Sequence, residues 1–306
     1  MFYKETPSET NFRNATSFYH LYSSPLEADL LYRDDAEFIV ILNIIALVQM
    51  LTHCRILAFA VMSNHLHFIL EGTKEECLYF FESLLEKLDN YYQHHGRAGL
   101  TDSMKPGCNP INSLEQLRSE IAYVIRNPFV VRNDVNLFAC PMTSGYLYFN
   151  PMLKKEGAPA DTLKGRALRD FTRTRKEIKM SGDVYVLDGM AQAWSFVDYE
   201  RAMSFYDDAR QFIMLTLKNV EAQVEVALRY NEKVLLNDQE LFSVTMKMVR
   251  EQFGCEKLSE LNRQQKSTLA VALKNRYQIS NSQIARVCRL SLNEVNALFP
   301  LATKLK

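Results

Sequence analysis

Two short apolar runs, Arg55-Ile-Leu-Ala-Phe-Ala-Val61 and Leu66-His-Phe-Ile-Leu70, stand either side of a Ser63-Asn64 turn signal. Runs of this length, rich in β-formers and bounded by turn residues, predict strands rather than helices. The pattern places strands at 17–24, 55–61 and 65–71, the last two as a hairpin. From Ile39 to Leu51 the chain is apolar except at Asn43 and Gln49, which predicts a buried helix over 35–53. That stretch falls far short of the roughly 20 residues a bilayer span needs. A helix is predicted at 75–95, then an irregular segment, then a helix at 113–127. In this last helix Leu114, Leu117, Ile121 and Val124 recur at helical spacing, Ser113 is a suitable N-cap, and Pro128 is expected to end it. The βαββα order predicts an α+β fold with a ferredoxin-like antiparallel sheet and helices on one face.

Further along, Pro141 to Pro159 carries prolines and glycines and reads as a boundary. Residues 160–235 read as largely helical. The last part reads as a separate helical module, with an amphipathic helix at Lys266–Tyr277 and two short helices, 281–288 and 291–299, joined by Arg289-Leu290. Ile284, Ala285 and Val295 fall where a helix-turn-helix packs its pair together. Ser291 with Glu294 forms a capping box. Three regions result: 12–132, 133–235 and 240–302.

The chemistry concentrates in the hairpin and the 113–127 helix. His65 and His67, two apart on a strand, point to one face roughly 6–7 Å apart. They can hold one divalent cation, although two rings capping a sheet would show the same spacing. Histidine-triad phosphoesterases need a third alternating histidine, where this chain has Ile69. Two-histidine phosphoesterases need a His-x-Thr/Ser pair on each of two strands, which is absent. Zinc would add cysteines or another histidine at short spacing, and Cys54 and Cys77 form no such pair. Two imidazoles with room for oxygen suit magnesium or manganese handling phosphate. Tyr123 and Asn127, four apart, share a helix face. A nearby metal or base can favour the phenolate of such a tyrosine, while a packed helix tyrosine is the plainer alternative.

Ala60-Val-Met-Ser-Asn-His-Leu-His-Phe-Ile-Leu70 followed by Tyr123-Val-Ile-Arg-Asn-Pro128 resembles the HUH single-tyrosine transposases. The closest branch is the REP-associated tyrosine transposases, whose signatures read approximately MPNHVH and YIxxNPV. Phe18-Tyr-His-Leu-Tyr22 is similar to that family's first strand, and Leu30 to Asp35 to the approach to its first helix. The resemblance covers about residues 12–132. It implies a metal-dependent single-stranded DNA endonuclease and strand transferase acting on hairpin-containing DNA. His65 and His67 would bind Mg2+ or Mn2+, Asn127 would be the third ligand, and Tyr123 would form a covalent 5′-phosphotyrosine. Ser63 stands where the family has proline. The segment 96–110 has Arg97 and Lys105 but lacks the family's aromatic and basic strand, which puts the fourth strand in question.

Composition changes the picture in two places. Lys+Arg and Asp+Glu balance at 36 each, so no global basic field marks a DNA-processing protein. Locally, Lys154, Lys155, Lys164, Arg166, Arg169, Arg173, Arg175, Lys176 and Lys179 face only Glu156, Asp161, Asp170 and Glu177. Such a run is a solvated helix or a phosphate contact. From 255 on, nine basic residues oppose Glu256, Glu260 and Glu294. This marks Arg286, Arg289, Asn293 and Asn296 as candidate DNA contacts of the last two helices, beside Lys154, Lys155, Arg166, Arg169 and Arg173. The alternative function is a catalytically quiet DNA-binding regulator acting through those helices. Six scattered cysteines and an N-terminus without an apolar signal core point to a cytoplasmic protein with no membrane partner. Monomer and homodimer both stay open.

Overall fold

The computed structural model describes residues 6–26, 29–131, 139–174, 178–218, 238–277 and 279–300. Residues 219–237 of the expected helical region, Arg175, Lys176 and Glu177 of the basic run, and Lys304 and Lys306 lie outside the described residues. The chain divides into two compact units, Met1–Pro128 with Val135–Lys218, and Phe129–Asp134 with Asn219–Lys306. Among the described residues no helix is long and apolar enough to cross a membrane.

The first unit is α+β. A short helix α1 (Pro7–Arg13) precedes β1 (Phe18–Ser23), α2 (Asp35–Leu51), β2 (Arg55–Val61), β3 (Leu66–Glu71), α3 (Lys74–His94), β4 (Pro106–Ile111) and α4 (Leu114–Val131). The four strands form one antiparallel sheet in the order β2-β3-β1-β4. The three strands and the helices α2 and α3 read from periodicity lie within two residues of the expected bounds. The irregular segment supplies the fourth strand, which lies at the sheet edge, where Pro106 and Pro110 can be accommodated. Arg97, one of that segment's two basic residues, is turned inward, with Nη1 donating to Glu37 Oε2 at 3.1 Å.

Helix α4 starts as expected, with Ser113 Oγ accepting from Gln116 N–H at 3.1 Å. It does not end at Pro128 but runs on to Val131. A proline inside a helix removes one backbone donor without dismantling the turns on either side.

Helices lie on one face only in the case of α2 and α3. Side chains alternate along a strand, so Leu21 and Phe68 face these helices, and Phe68 meets Phe80 and Phe81 of α3 at 5.3 and 6.0 Å. The opposite face, bearing Phe18, His20, Tyr22 and His67, is covered by α4 and by residues after 139. All six β3 residues are buried as a result.

Residues 139–218 therefore pack into the first unit instead of following a boundary at Pro141–Pro159. Their role is visible at β2, the other sheet edge. Val61 N–H donates to Met142 O at 2.8 Å, Phe59 N–H to Ser144 Oγ at 3.2 Å, and Asp198 N–H to Ile56 O at 2.8 Å. The buried Tyr148 hydroxyl donates to Leu57 O. These contacts satisfy backbone groups that an edge strand otherwise leaves open.

The region also contains a small antiparallel sheet, β5 (Ala158–Pro159), β6 (Tyr185–Leu187) and β7 (Met190–Ala191), among short helices α5 (Gly165–Thr172), α6 (Tyr199–Met203) and α7 (Ala209–Lys218). Asp188 and Gly189 both have positive φ, 50° and 80°, at the hairpin between β6 and β7, as an Asp-Gly turn requires. Asn43, the polar residue inside the apolar α2, docks this hairpin. Its Nδ2 donates to Gly189 O at 2.8 Å and its Oδ1 accepts from Ala191 N–H at 2.7 Å.

The second unit contains α8 (Asp238–Phe253), α9 (Arg263–Arg276), α10 (Asn281–Cys288) and α11 (Leu292–Leu298). Leu241, Leu269, Leu273, Ile284, Val287 and Val295 are buried in it. The Ser291–Glu294 capping box is present, with Ser291 N–H donating to Glu294 Oε2 at 2.7 Å. Arg289 caps α10 at φ 52° and ψ 50°, a left-handed conformation usually given to glycine.

Two substitutions test these assignments. Arg289→Gly should stabilise the helical unit by about 1 kcal/mol, because the left-handed penalty of a Cβ disappears. A lower urea midpoint for that unit would contradict it. Tyr148→Phe should destabilise the first unit by about 1–3 kcal/mol, since the Leu57 carbonyl loses its buried donor. Chemical denaturation reads both.

Candidate active site

The sheet and α4 bring together residues far apart in the chain. In the β1–β3 pairing Tyr22 lies opposite His67, and His20 opposite Ile69, so His20 and His67 are diagonal neighbours on one face. Above them α4 carries Glu120, Tyr123 and Asn127 at i, i+3 and i+7, a polar stripe along one side of the helix. The His65 and His67 rings are 4.8 Å apart, and the Tyr123 ring lies 5.7 Å from His67 and 6.0 Å from His20. The Tyr22 ring stacks at 6.4 Å from His67. It can lie there because its cross-strand partner is Gly107, where an added Cβ would stand 2.2 Å from Tyr22 Cζ.

A hydrogen-bonded line runs through the layer. Glu120 Oε2 accepts from His20 Nδ1–H at 2.8 Å, and His20 Nε2 lies 3.0 Å from His67 Nδ1. The other carboxylate oxygen, Oε1, accepts from Gln116 Nε2 at 3.4 Å. Glu120, His20 and His67 are all fully buried. Burial, and secondarily the neighbouring His20, hold the His67 pKa well below the ordinary 6.5, so its ring is neutral. Arg126, also buried on α4, has its pKa lowered by burial to about 10.

His65 is half-buried at the start of the strand, and its Nδ1–H donates to Asn64 Oδ1 at 2.7 Å. In both site histidines Nδ1 is thus engaged within the protein, and the nitrogen that would coordinate a cation is Nε2. Asn127 is half-buried, and its amide Nδ2 is buried with no hydrogen-bond partner among the described residues. Among the described residues no group of three His, Cys, Asp or Glu is placed to hold a metal ion. A cation here would rest on two imidazoles and the Asn127 oxygen, with substrate oxygens or water completing its shell. Neutral imidazoles and a neutral amide fit a hard divalent ion that keeps open positions for phosphate.

Of the site residues expected from sequence, the structure brings His65, His67 and Tyr123 together and places Asn127 one helical turn beyond Tyr123. Sequence reasoning missed the roles of His20 and Glu120. The signal for Glu120 was the polar 120/123/127 stripe opposite the apolar 117/121/124 stripe.

The candidate DNA contacts are dispersed. Lys154, Arg166, Arg169 and Arg173 are exposed; Lys154 lies 3.9 Å from Glu156 and Arg166 3.5 Å from Asp170. Lys155 pairs with Glu200 at 3.4 Å and lies over the Tyr199 ring. Arg173 lies over the Tyr91 ring at 5.9 Å. In the second unit Arg286, Arg289 and Asn293 are exposed. Asn296 is used internally, its Oδ1 accepting from Asn281 Nδ2 at 2.9 Å. No protein-family model, curated protein or solved structure matches this chain.

The buried neutral His67 has a pH signature. Below about pH 6.5 the unfolded chain binds a proton at residue 67 that the folded ring does not, so unfolding is favoured as pH falls. With no metal added, stability should drop from pH 7 towards 5 with a contribution of up to about 1.4 kcal/mol per pH unit from this ring. His67→Asn should flatten that slope in urea titrations at several pH values. A wild-type stability that rises on acidification would contradict the assignment.

Proposed function

We propose that the protein is a metal-dependent single-stranded DNA endonuclease and strand transferase of the HUH single-tyrosine type, similar to the REP-associated tyrosine transposases. One observation carries this reading: Tyr123, on a helix, meets the His65–His67 pair of a distant strand, with its ring 5.7 Å from His67. The βαββαβ connectivity with strand order β2-β3-β1-β4 supports it, being the ferredoxin-like arrangement expected of such a domain.

His65, His67 and Asn127 would hold Mg2+ or Mn2+, which when bound supplies positive charge to the oxygens of the scissile phosphate. Tyr123 Oη attacks the phosphorus in line. A P–O bond to tyrosine forms as the P–O3′ bond breaks. The phenol loses its proton and the departing 3′ oxygen gains one, leaving a 5′-phosphotyrosine and a free 3′-hydroxyl. The number of phosphoester bonds is unchanged, so rejoining to another 3′-hydroxyl needs no nucleotide cofactor. The substrate would be a DNA hairpin with flanking single strand. Arg286, Arg289 and Asn293 on the last two helices, read as a helix-turn-helix, would give a second DNA contact.

A second reading rests on burial. Tyr123 is 5% exposed and His67 is fully buried, which favours a quiet DNA-binding protein over a nuclease unless the layer above the sheet opens to admit the phosphate.

End-labelled single-stranded hairpin oligonucleotides, incubated with the protein and Mn2+ or Mg2+, separate the two. The expected result is a protein–DNA adduct on the fragment 3′ of the cut, stable on denaturing gels. Tyr123→Phe should abolish it, and His65→Ala should reduce it at least about 100-fold. DNA retained without adduct across a broad hairpin pool would establish the regulator. Cleavage with no protein attached would indicate a hydrolytic nuclease.

A further inference from the structure

The line Glu120–His20–His67 is not needed to build the sheet. A buried carboxylate and two buried rings stand where apolar side chains of similar volume would ordinarily be at least as stabilising. Its geometry has a direction. An ionised carboxylate only accepts, so the His20 proton sits on Nδ1, facing Glu120 at 2.8 Å. With His20 neutral, its Nε2 carries a lone pair. The contact at 3.0 Å to His67 then needs the His67 proton on Nδ1, and His67 Nε2 is left as a lone pair. Glu120 is itself oriented by Gln116, whose Nε2 donates to Oε1 at 3.4 Å and whose Oε1 accepts from Asn112 N–H at 3.0 Å.

We propose that Glu120 and His20 are positioning residues that commit His67 to its Nδ1–H tautomer and present Nε2 to a divalent cation. The inference rests on the cation site proposed above. It deepens that reading by assigning the tautomer to a two-step relay that begins on the tyrosine helix itself. Partners of this kind fix the ring orientation of a ligating histidine and raise its basicity. Here the carboxylate acts through an intervening imidazole. Because Glu120 and Tyr123 lie on the same face of α4, one helix both carries the phenol and sets the tautomer of the histidine beside it.

The relay can be read without metal or DNA. Two-bond 1H–15N correlation spectra of the histidine-labelled wild-type protein should show His67 protonated at Nδ1 and unprotonated at Nε2. In Glu120→Gln the amide can donate as well as accept, so an Nε2–H population should appear at His67. Mn2+ affinity, measured by titration calorimetry, should fall about 10–100-fold while the thermal transition remains cooperative. Wild-type His67 protonated at Nε2 would overturn the relay, whatever the variant does. A folded Glu120→Gln protein with Mn2+ affinity within twofold of wild type would overturn it also. Wild type with the expected tautomer but no Mn2+ binding would uphold the relay and overturn the cation site. The two failures are thereby told apart.

Discussion

The sheet of the first unit is apolar on both faces, and most of the architecture answers that one constraint. Every residue of β3 and all but the first of β2 are buried. A sheet of this kind needs two covering layers and closed edges. Helices α2 and α3 make the first layer, and α4 begins the second. Residues 142–148 and 197–198 finish the task along β2, which explains why a proline-bearing stretch that looks like a linker is packed. A side chain on the second face therefore enters a dry layer. This dryness keeps His67 neutral, and it strengthens whatever electrostatic contact the ring makes.

Within that layer the polar groups are connected rather than scattered. Glu120 reaches His20, His20 reaches His67, and Gln116 holds the far carboxylate oxygen. A half-connected network would cost more than an apolar interior, because each orphaned group loses its hydration without return. Tyr22 belongs to the same economy of space. Its ring can lie beside the histidines only because β4 offers Gly107 opposite, so a residue with no side chain shapes the wall of the site.

How much of this was legible depended on whether a residue's partner was near in sequence. The runs 55–61 and 66–70 declared strands because apolar β-formers follow one another there. The start of α4 was equally plain, from Ser113 and the spacing of Leu117, Ile121 and Val124. Pro128 misled, since its local preference is to stop a helix and the surrounding turns outweigh it. Residues 106–111 misled in the other direction. Two prolines and a glycine disguise a strand whose existence depends on β1 for pairing. The Asp188-Gly189 hairpin was signalled by its dipeptide but lay inside a stretch read as helical. Of the candidate site, the His65/His67 spacing and the Tyr123/Asn127 spacing were visible. The contact from Glu120 to His20 was not, because nothing local couples a strand residue to a helix a hundred positions later.

That long separation has a consequence for how the protein is made. Synthesis delivers β1 and β3 well before α4, so His20 and His67 can meet while their carboxylate is still in the ribosome. Until α4 docks, the second face of the sheet is uncovered and the two rings remain solvated. Docking of α4 is then the step that dehydrates both histidines and supplies their counter-charge together. Contacts of such long range are formed late and slowly, so assembly of the site coincides with completion of the domain. A truncated or stalled chain ending before Glu120 would carry both hairpin histidines and lack the groups that organise them.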